Sequence, residues 1–341
     1  MSVHVWMRSE TRATEQRAPL VPHDCHTLIA DGVRVTVERS PQRVFGDDEY
    51  AAAGCELAET GSWIDAPPGV HILGIKELPD EPSALVHPHI YFAHAFKGQD
   101  GAEEVLARFA RGGGDLLDIE YLTVDGRRVV AFGRWAGYVG AALGVLTVRG
   151  QLKTPLTPMT RPELDELLAS SLDDLSALVI GARGRSGGGA VEALAVAGAR
   201  ITPWDAGHTR DLDREALLDH DLLVNCVVSR GQRVDPWVRP EDLDVDRRLR
   251  VISDVTCDVT SSANLIPVNT SITTWNEPVR RIVDQPLLDV IAIDNLPSLL
   301  PREASESFSA ELSVLIAETA DLGSRSGPWA AAQASYAQAR P

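Results

Sequence analysis

The sequence predicts an α/β protein built as about two domains. Short apolar runs alternate with helical patterns almost from end to end, the one-dimensional mark of a sheet covered by helices. At roughly 150 residues per domain, 341 residues suffice for two buried cores. One run, Leu178 to Gly189, reads as a buried strand entering a glycine-rich turn.

The elements follow in order. Strands are expected over residues 3–7, 33–37, 70–75, 90–93, 116–119 and 129–132, each a short apolar run. Helices are expected over 24–30 and 102–111, the second with Val105, Leu106 and Phe109 at helical spacing. Residues 149–172, rich in Pro, Thr and charge, read as a surface excursion between domains. Within them Thr160-Arg161-Pro162-Glu163 is a capping-box sequence that opens a helix carrying Leu164, Leu167 and Leu168. Strands then recur over 177–180, 200–204, 222–226, 250–255 and 290–293, and the Ala-rich residues 328–341 read as a loosely docked helix or tail.

Composition narrows the partners. Against 32 Lys and Arg stand 49 Asp and Glu, a net charge of −17 that would repel a phosphate backbone, so no nucleic-acid partner is expected. The longest uncharged apolar run, residues 135–148, is too short to cross a bilayer, and the N-terminus turns charged too early for a secretory signal. Cys25, Cys55, Cys226 and Cys257 show no CxxC spacing and read as buried small hydrophobes in a reducing cytoplasm, with no zinc site. The pair His87 and His89 has no partner cluster and is not read as a metal site.

In the glycine-rich run, Gly181, Gly184 and Gly187 let the backbone turn and approach a pyrophosphate, with Arg185 and Ser186 beginning the helix. The next strand ends in Asp205, placed to bond an adenosine ribose diol and repel a 2′-phosphate, which favours NAD over NADP. A plain strand–turn–helix has the same pattern, and Arg183 and Arg185 leave NADP open. Polar residues gather at the ends of the first-half strands. Arg8 and Glu10 follow the first, Lys76 and Glu77 the third, His94 the fourth, and Asp118 and Glu120 the fifth. Ligands bind at carboxyl ends of parallel strands. A lysine and a histidine there suit amine oxidation followed by imine hydrolysis, and arginines suit carboxylates. Surface lysine, half-buried histidine and solvated arginine are the alternatives for Lys76, His94 and Arg17.

Several longer motifs carry a family resemblance. They are Arg8-Ser9-Glu10-Thr11 with Glu15 and Arg17, Gly74-Ile75-Lys76-Glu77-Leu78-Pro79, the run from Phe92 to Asp100, Gly126 to Gly133, and Asp294-Asn295-Leu296-Pro297-Ser298-Leu299-Leu300-Pro301-Arg302-Glu303-Ala304-Ser305. With them the chain resembles the NAD-dependent, lysine-forming saccharopine dehydrogenases, relatives of alanine dehydrogenase and of the nucleotide-binding part of transhydrogenase. The resemblance implies two Rossmann-type doubly wound domains with an interdomain cleft. Residues 1–133 plus about 300–341 would form the substrate domain and 134–299 the NAD-binding domain. It implies oxidative deamination of saccharopine to lysine and 2-oxoglutarate. Lys76 and His94 would be the acid–base pair, and Glu77 and Glu120 would tune Lys76. Arg17 and Arg128 would hold substrate carboxylates and Asp294 would lie near the nicotinamide. It further implies a monomer acting on a small amino-acid or dicarboxylate substrate, with a homo-oligomer left open.

Departures from the fungal pattern are Arg12 for lysine, Ser186 for a cysteine that would face Cys226, Arg134 for an aromatic residue, and a shorter linker. Arg134 motivates a second expectation, a relative that cleaves another N-substituted amino acid in a secondary-metabolite pathway. A non-catalytic NAD-binding redox sensor is the expectation from another class.

Overall fold

The computed structural model describes residues 3–99, 101–170, 174–229, 235–260, 263–318, 322 and 327–340. Asp100, Leu172 and Pro341, which end three of the segments named above, lie outside the described residues. The chain divides into two compact units, Met1–Ala131 with Pro301–Pro341, and Phe132–Leu300.

The first unit begins with β1 (His4–Met7), α1 (Pro22–Ala30), β2 (Arg34–Glu38), α2 (Asp47–Ala52) and β3 (Glu56–Ala58). It continues with β4 (His71–Leu73), β5 (His89–Tyr91), α3 (Ala102–Gly112), β6 (Leu116–Asp118), β7 (Thr123–Val124) and β8 (Arg127–Arg128). Six parallel strands run in the order β3-β2-β1-β4-β5-β6. The chain winds outward from β1 to β3 and then returns to the other side of β1, so a topological switch point lies between β1 and β4. The strand expected over 129–132 is not formed. Asp125 and Gly126 both take positive φ, 50° and 70°, and close a tight hairpin of β7 on β8, while Phe132 already caps the next helix. The local turn chemistry outweighs the apolar run.

The second unit holds α4 (Gly133–Val148), α5 (Arg161–Ala169), β9 (Ser176–Ile180), α6 (Arg185–Val196), β10 (Arg200–Trp204) and α7 (Arg214–Leu218). Then come β11 (Leu222–Asn225), β12 (Val251–Asp254), β13 (Arg280–Asp284) and β14 (Leu287–Ile291). The order is β10-β9-β11-β12-β14-β13, parallel except for β13 on β14, with its switch point between β9 and β11. Every residue of β9 is buried, as a central strand covered on both faces requires. Helix α4 is apolar on nearly all sides and packs against α6 and β12. Asp221 ties the strand starts together: it accepts the Ser176 amide and hydroxyl, both at 2.9 Å, and pairs with Arg248 and Arg250.

The chain then returns to the first unit as α8 (Pro301–Ala317) and α9 (Gly327–Ala339). Ser305 and Ser309 hydroxyls accept the amides of Ala18 and Val21 at 2.9 Å, and the Tyr336 hydroxyl donates to the Gly114 carbonyl.

Two further expectations are corrected. The described part of 149–172 is packed into the second unit, not an excursion between domains. The Leu156 amide donates to Trp275 O at 2.8 Å, Met159 to Leu299 O at 2.9 Å, and Leu164 and Leu168 are buried. Cys25 and Cys55 are buried, but Cys226 and Cys257 are only half-buried, each lying past the carboxyl end of an interior strand. No helix among the described residues is long and apolar enough to cross a membrane.

Candidate active site

In the first unit the switch point brings the end of β1 beside the end of β4. The buried Arg8 guanidinium donates to the carbonyls of Ser9, Lys76 and Glu77 and lies 3.4 Å from Glu10. Glu10 in turn accepts the amides of Ile75 at 2.7 Å and Lys76 at 3.0 Å. Burial raises the Glu10 carboxyl above its ordinary range, and Arg8 opposes that rise. Together these two side chains clamp the backbone that presents Lys76. A Cβ at position 74 would lie 2.6 Å from Arg8 Nε, so any larger residue there would displace the guanidinium from this clamp.

Lys76 is half-buried, and its charge acts on both Glu15 and Glu77. Glu15 is buried and takes a two-pronged bond from Arg17, at 2.8 and 2.6 Å. Burial alone would raise the Glu15 carboxyl, but Arg17 brings it below its ordinary value. Arg17 itself is 4% exposed, so it is not a solvated surface arginine. Arg12 pairs with Glu77 at 2.8 Å nearer the surface.

The next strand end carries the imidazole. Gly74 N bonds Ile90 O and Phe92 N bonds Ile75 O at 3.2 Å, which carries the β4–β5 pairing on to the residues around Lys76 and His94. His94 stacks beside Phe92 and sits at φ 51°, a left-handed conformation uncommon for a residue with a side chain. Glu120 comes from the turn Ile119–Tyr121 directly after β6. Its carboxylate faces His94 Nδ1 at 3.7 Å, Lys97 Nζ at 2.8 Å and the Arg128 guanidinium. The neighbouring His94 imidazole, with Lys97 and Arg128 behind it, brings the Glu120 carboxyl down to about 2 despite burial. Glu120 thus engages His94, Lys97 and Arg128, and Glu15 and Glu77 both feel the charge of Lys76. An imidazole with one nitrogen turned to a carboxylate keeps the other for proton exchange.

The second unit has its own cradle. Gly181 follows β9 at φ 84°, Gly184 bonds back to it at 2.9 Å, and α6 starts at Arg185 and Ser186 with no side-chain cap on its first amides. A Cβ on Gly187 would lie 2.0 Å from Gly181 O, so helix and turn meet backbone to backbone. Asp205, following β10, accepts the Gly207 amide and pairs with His208 at 2.9 Å and Arg183 at 3.1 Å. A turn closed to side chains, an uncapped helix start and an acid at the next strand end fit a dinucleotide. Asp294 is exposed a few residues past β14, just before the turn Leu296–Leu299.

The family model described as "Alanine dehydrogenase/PNT, N-terminal domain" matches residues 6–139. A protein of Emericella nidulans named saccharopine dehydrogenase, NAD(+), L-lysine-forming, is 44% identical, covering 90% of this chain and 90% of its own length. The chain belongs to the saccharopine dehydrogenase family. The Neurospora crassa protein of the same name is 43% identical over 90% of this chain and 88% of its own. A solved L-alanine dehydrogenase superposes with a TM-score of 0.68 at 16% identity, covering 99% of this chain and 94% of that one, a likeness of fold.

Within this saccharopine dehydrogenase family chain, sequence reasoning gave no role to Lys97, Glu15 or Asp118. Lys97 is three residues from His94, and only the turn after β5 shows that both face Glu120. Arg134, which motivated the reading of a different N-substituted substrate, has its guanidinium 2.7 Å from Glu192, on α6.

Proposed function

We propose that this chain oxidises saccharopine with NAD to lysine and 2-oxoglutarate. The second unit holds the dinucleotide and the first supplies the acid–base and carboxylate-binding side chains. The observation that carries the reading is the placing of Lys76 and His94 after neighbouring strands at the switch-point edge, each accompanied by carboxylates.

Gly181, Gly184 and Gly187 leave room for the pyrophosphate, and Arg185 and Ser186 meet its charge at the helix start. Asp205 would take the ribose diol, and Asp294 would lie near the nicotinamide. Bound NAD supplies a hydride acceptor for the carbon that bears the secondary amine. Lys76 Nζ and the His94 imidazole divide two proton tasks, removal of the amine proton and delivery and removal of protons as water cleaves the imine. Glu120 orients His94, Glu77 and Glu15 bias the charge on Lys76, and Arg12 and Arg128 offer exposed N–H groups to substrate carboxylates. Arg17 acts from its buried pair with Glu15. Four cysteines without CxxC spacing suit a reducing, cytoplasmic setting.

The test offers purified protein NAD with saccharopine, alanine and other N-alkyl amino acids, and follows the absorbance of reduced nicotinamide. Turnover with saccharopine and not with alanine is expected. No signal with saccharopine at high enzyme concentration, alongside turnover of another amine, overturns the reading.

A further inference from the structure

Asp118 is the last residue of β6, pairs in register with Tyr91 of β5, and is fully buried. Its Oδ1 accepts the Glu120 amide at 2.9 Å and caps the turn that carries Glu120. Its other oxygen, Oδ2, has no partner among the described residues. One buried group therefore fixes the peptide unit that presents Glu120 to His94.

We propose that Asp118 is a positioning residue that sets Glu120 against His94 by holding the Glu120 amide; this rests on the saccharopine reading. Burial pushes the Asp118 carboxyl up to about 6, with the Glu120 amide opposing, so the charge is retained at a cost where an apolar residue would pack without one. What the position needs is an acceptor oxygen at this reach, more than a negative charge.

The experiment compares Asp118→Asn, Asp118→Ala and Asp118→Glu with the parent for kcat, saccharopine KM, NADH binding and hydrogen exchange of the Glu120 amide. Asp118→Asn keeps the acceptor at the same length and should retain at least about a third of kcat. Asp118→Ala removes the acceptor, and Asp118→Glu moves it by one methylene. Each should lose at least about tenfold in kcat, with KM and NADH affinity within about threefold, because misplacement of about 1 Å can cost up to about 10² in rate. Glu120 exchange should accelerate at least tenfold in Asp118→Ala and stay slow in Asp118→Asn. If Asp118→Ala does not fold, Asp118→Glu decides. An Asp118→Glu variant as fast as Asp118→Asn, or accelerated exchange with unchanged kcat, overturns the positioning role while leaving the saccharopine reading intact. A parent that does not oxidise saccharopine overturns both.

Discussion

Gly187 and Gly188 are adjacent in the first turn of α6 and should respond to alanine in opposite directions. A Cβ at 187 would lie 2.0 Å from Gly181 O and 2.6 Å from Ala182 Cα, both backbone atoms, whereas a Cβ at 188 meets nothing within 4 Å. Relieving the first contact moves turn against helix by about 1 Å, and overpacking of this kind costs about 1–3 kcal/mol. Alanine in place of glycine gains about 1 kcal/mol of helix propensity at either site. Gly187→Ala should therefore be neutral to about 2 kcal/mol less stable, and Gly188→Ala about 1 kcal/mol more stable. Since the displaced amides are those proposed to meet the pyrophosphate, Gly187→Ala should raise the NADH dissociation constant at least about tenfold, equivalent to 1.4 kcal/mol. Gly188→Ala should leave it within about twofold. Urea unfolding and fluorescence titration with NADH read both quantities. Equal NADH affinity in the two variants would refute the placement of the dinucleotide on this turn.

Three other outcomes are expected. Asp205→Ala should weaken NADH more than NADPH, shifting the ratio of dissociation constants at least about fivefold; an unchanged ratio in paired titrations would assign the choice to Arg183 or Arg185. Arg17→Ala strands the buried Glu15 carboxylate and should cost about 3–5 kcal/mol, a drop in Tm of about 6–20 °C by calorimetry, whereas a surface pair would cost almost nothing. Asp118 has a folded-state pKa raised from 3.8 to about 6, so its contribution is fully present below about pH 4 and is lost as pH rises through about 6. Asp118→Asn should therefore match the parent in stability near pH 4 and exceed it by up to about 3 kcal/mol near pH 7, read by urea unfolding; an advantage that does not change with pH would contradict the buried charge.

The interior strands were legible because parallel sheets bury both faces, leaving apolar runs such as Leu178-Val179-Ile180 and Leu222-Leu223-Val224. Of the four edge strands, Leu116–Asp118 and Arg200–Trp204 were legible and the other two were not. Glu56–Ala58 is three residues with a charged start, and Arg280–Asp284 carries charge at both ends, as edges do to avoid pairing with other chains. The glycine-rich turn could be read because its signal lies within a dozen consecutive residues. The Glu120 cluster could not be, because His94 and Lys97 reach it from the turn after β5 and Arg128 from β8, and no spacing encodes that meeting. Arg17 looks like any surface arginine in one dimension; its burial follows from the turn that folds it onto Glu15.

The most direct measurement is steady-state turnover of saccharopine by Lys76→Met and His94→Gln beside the parent, with NADH binding recorded on the same preparations. Each variant should fall by about 10² or more in kcat while binding NADH as the parent does. A variant that turns over at the parental rate would contradict the assignment of proton transfer to these two side chains.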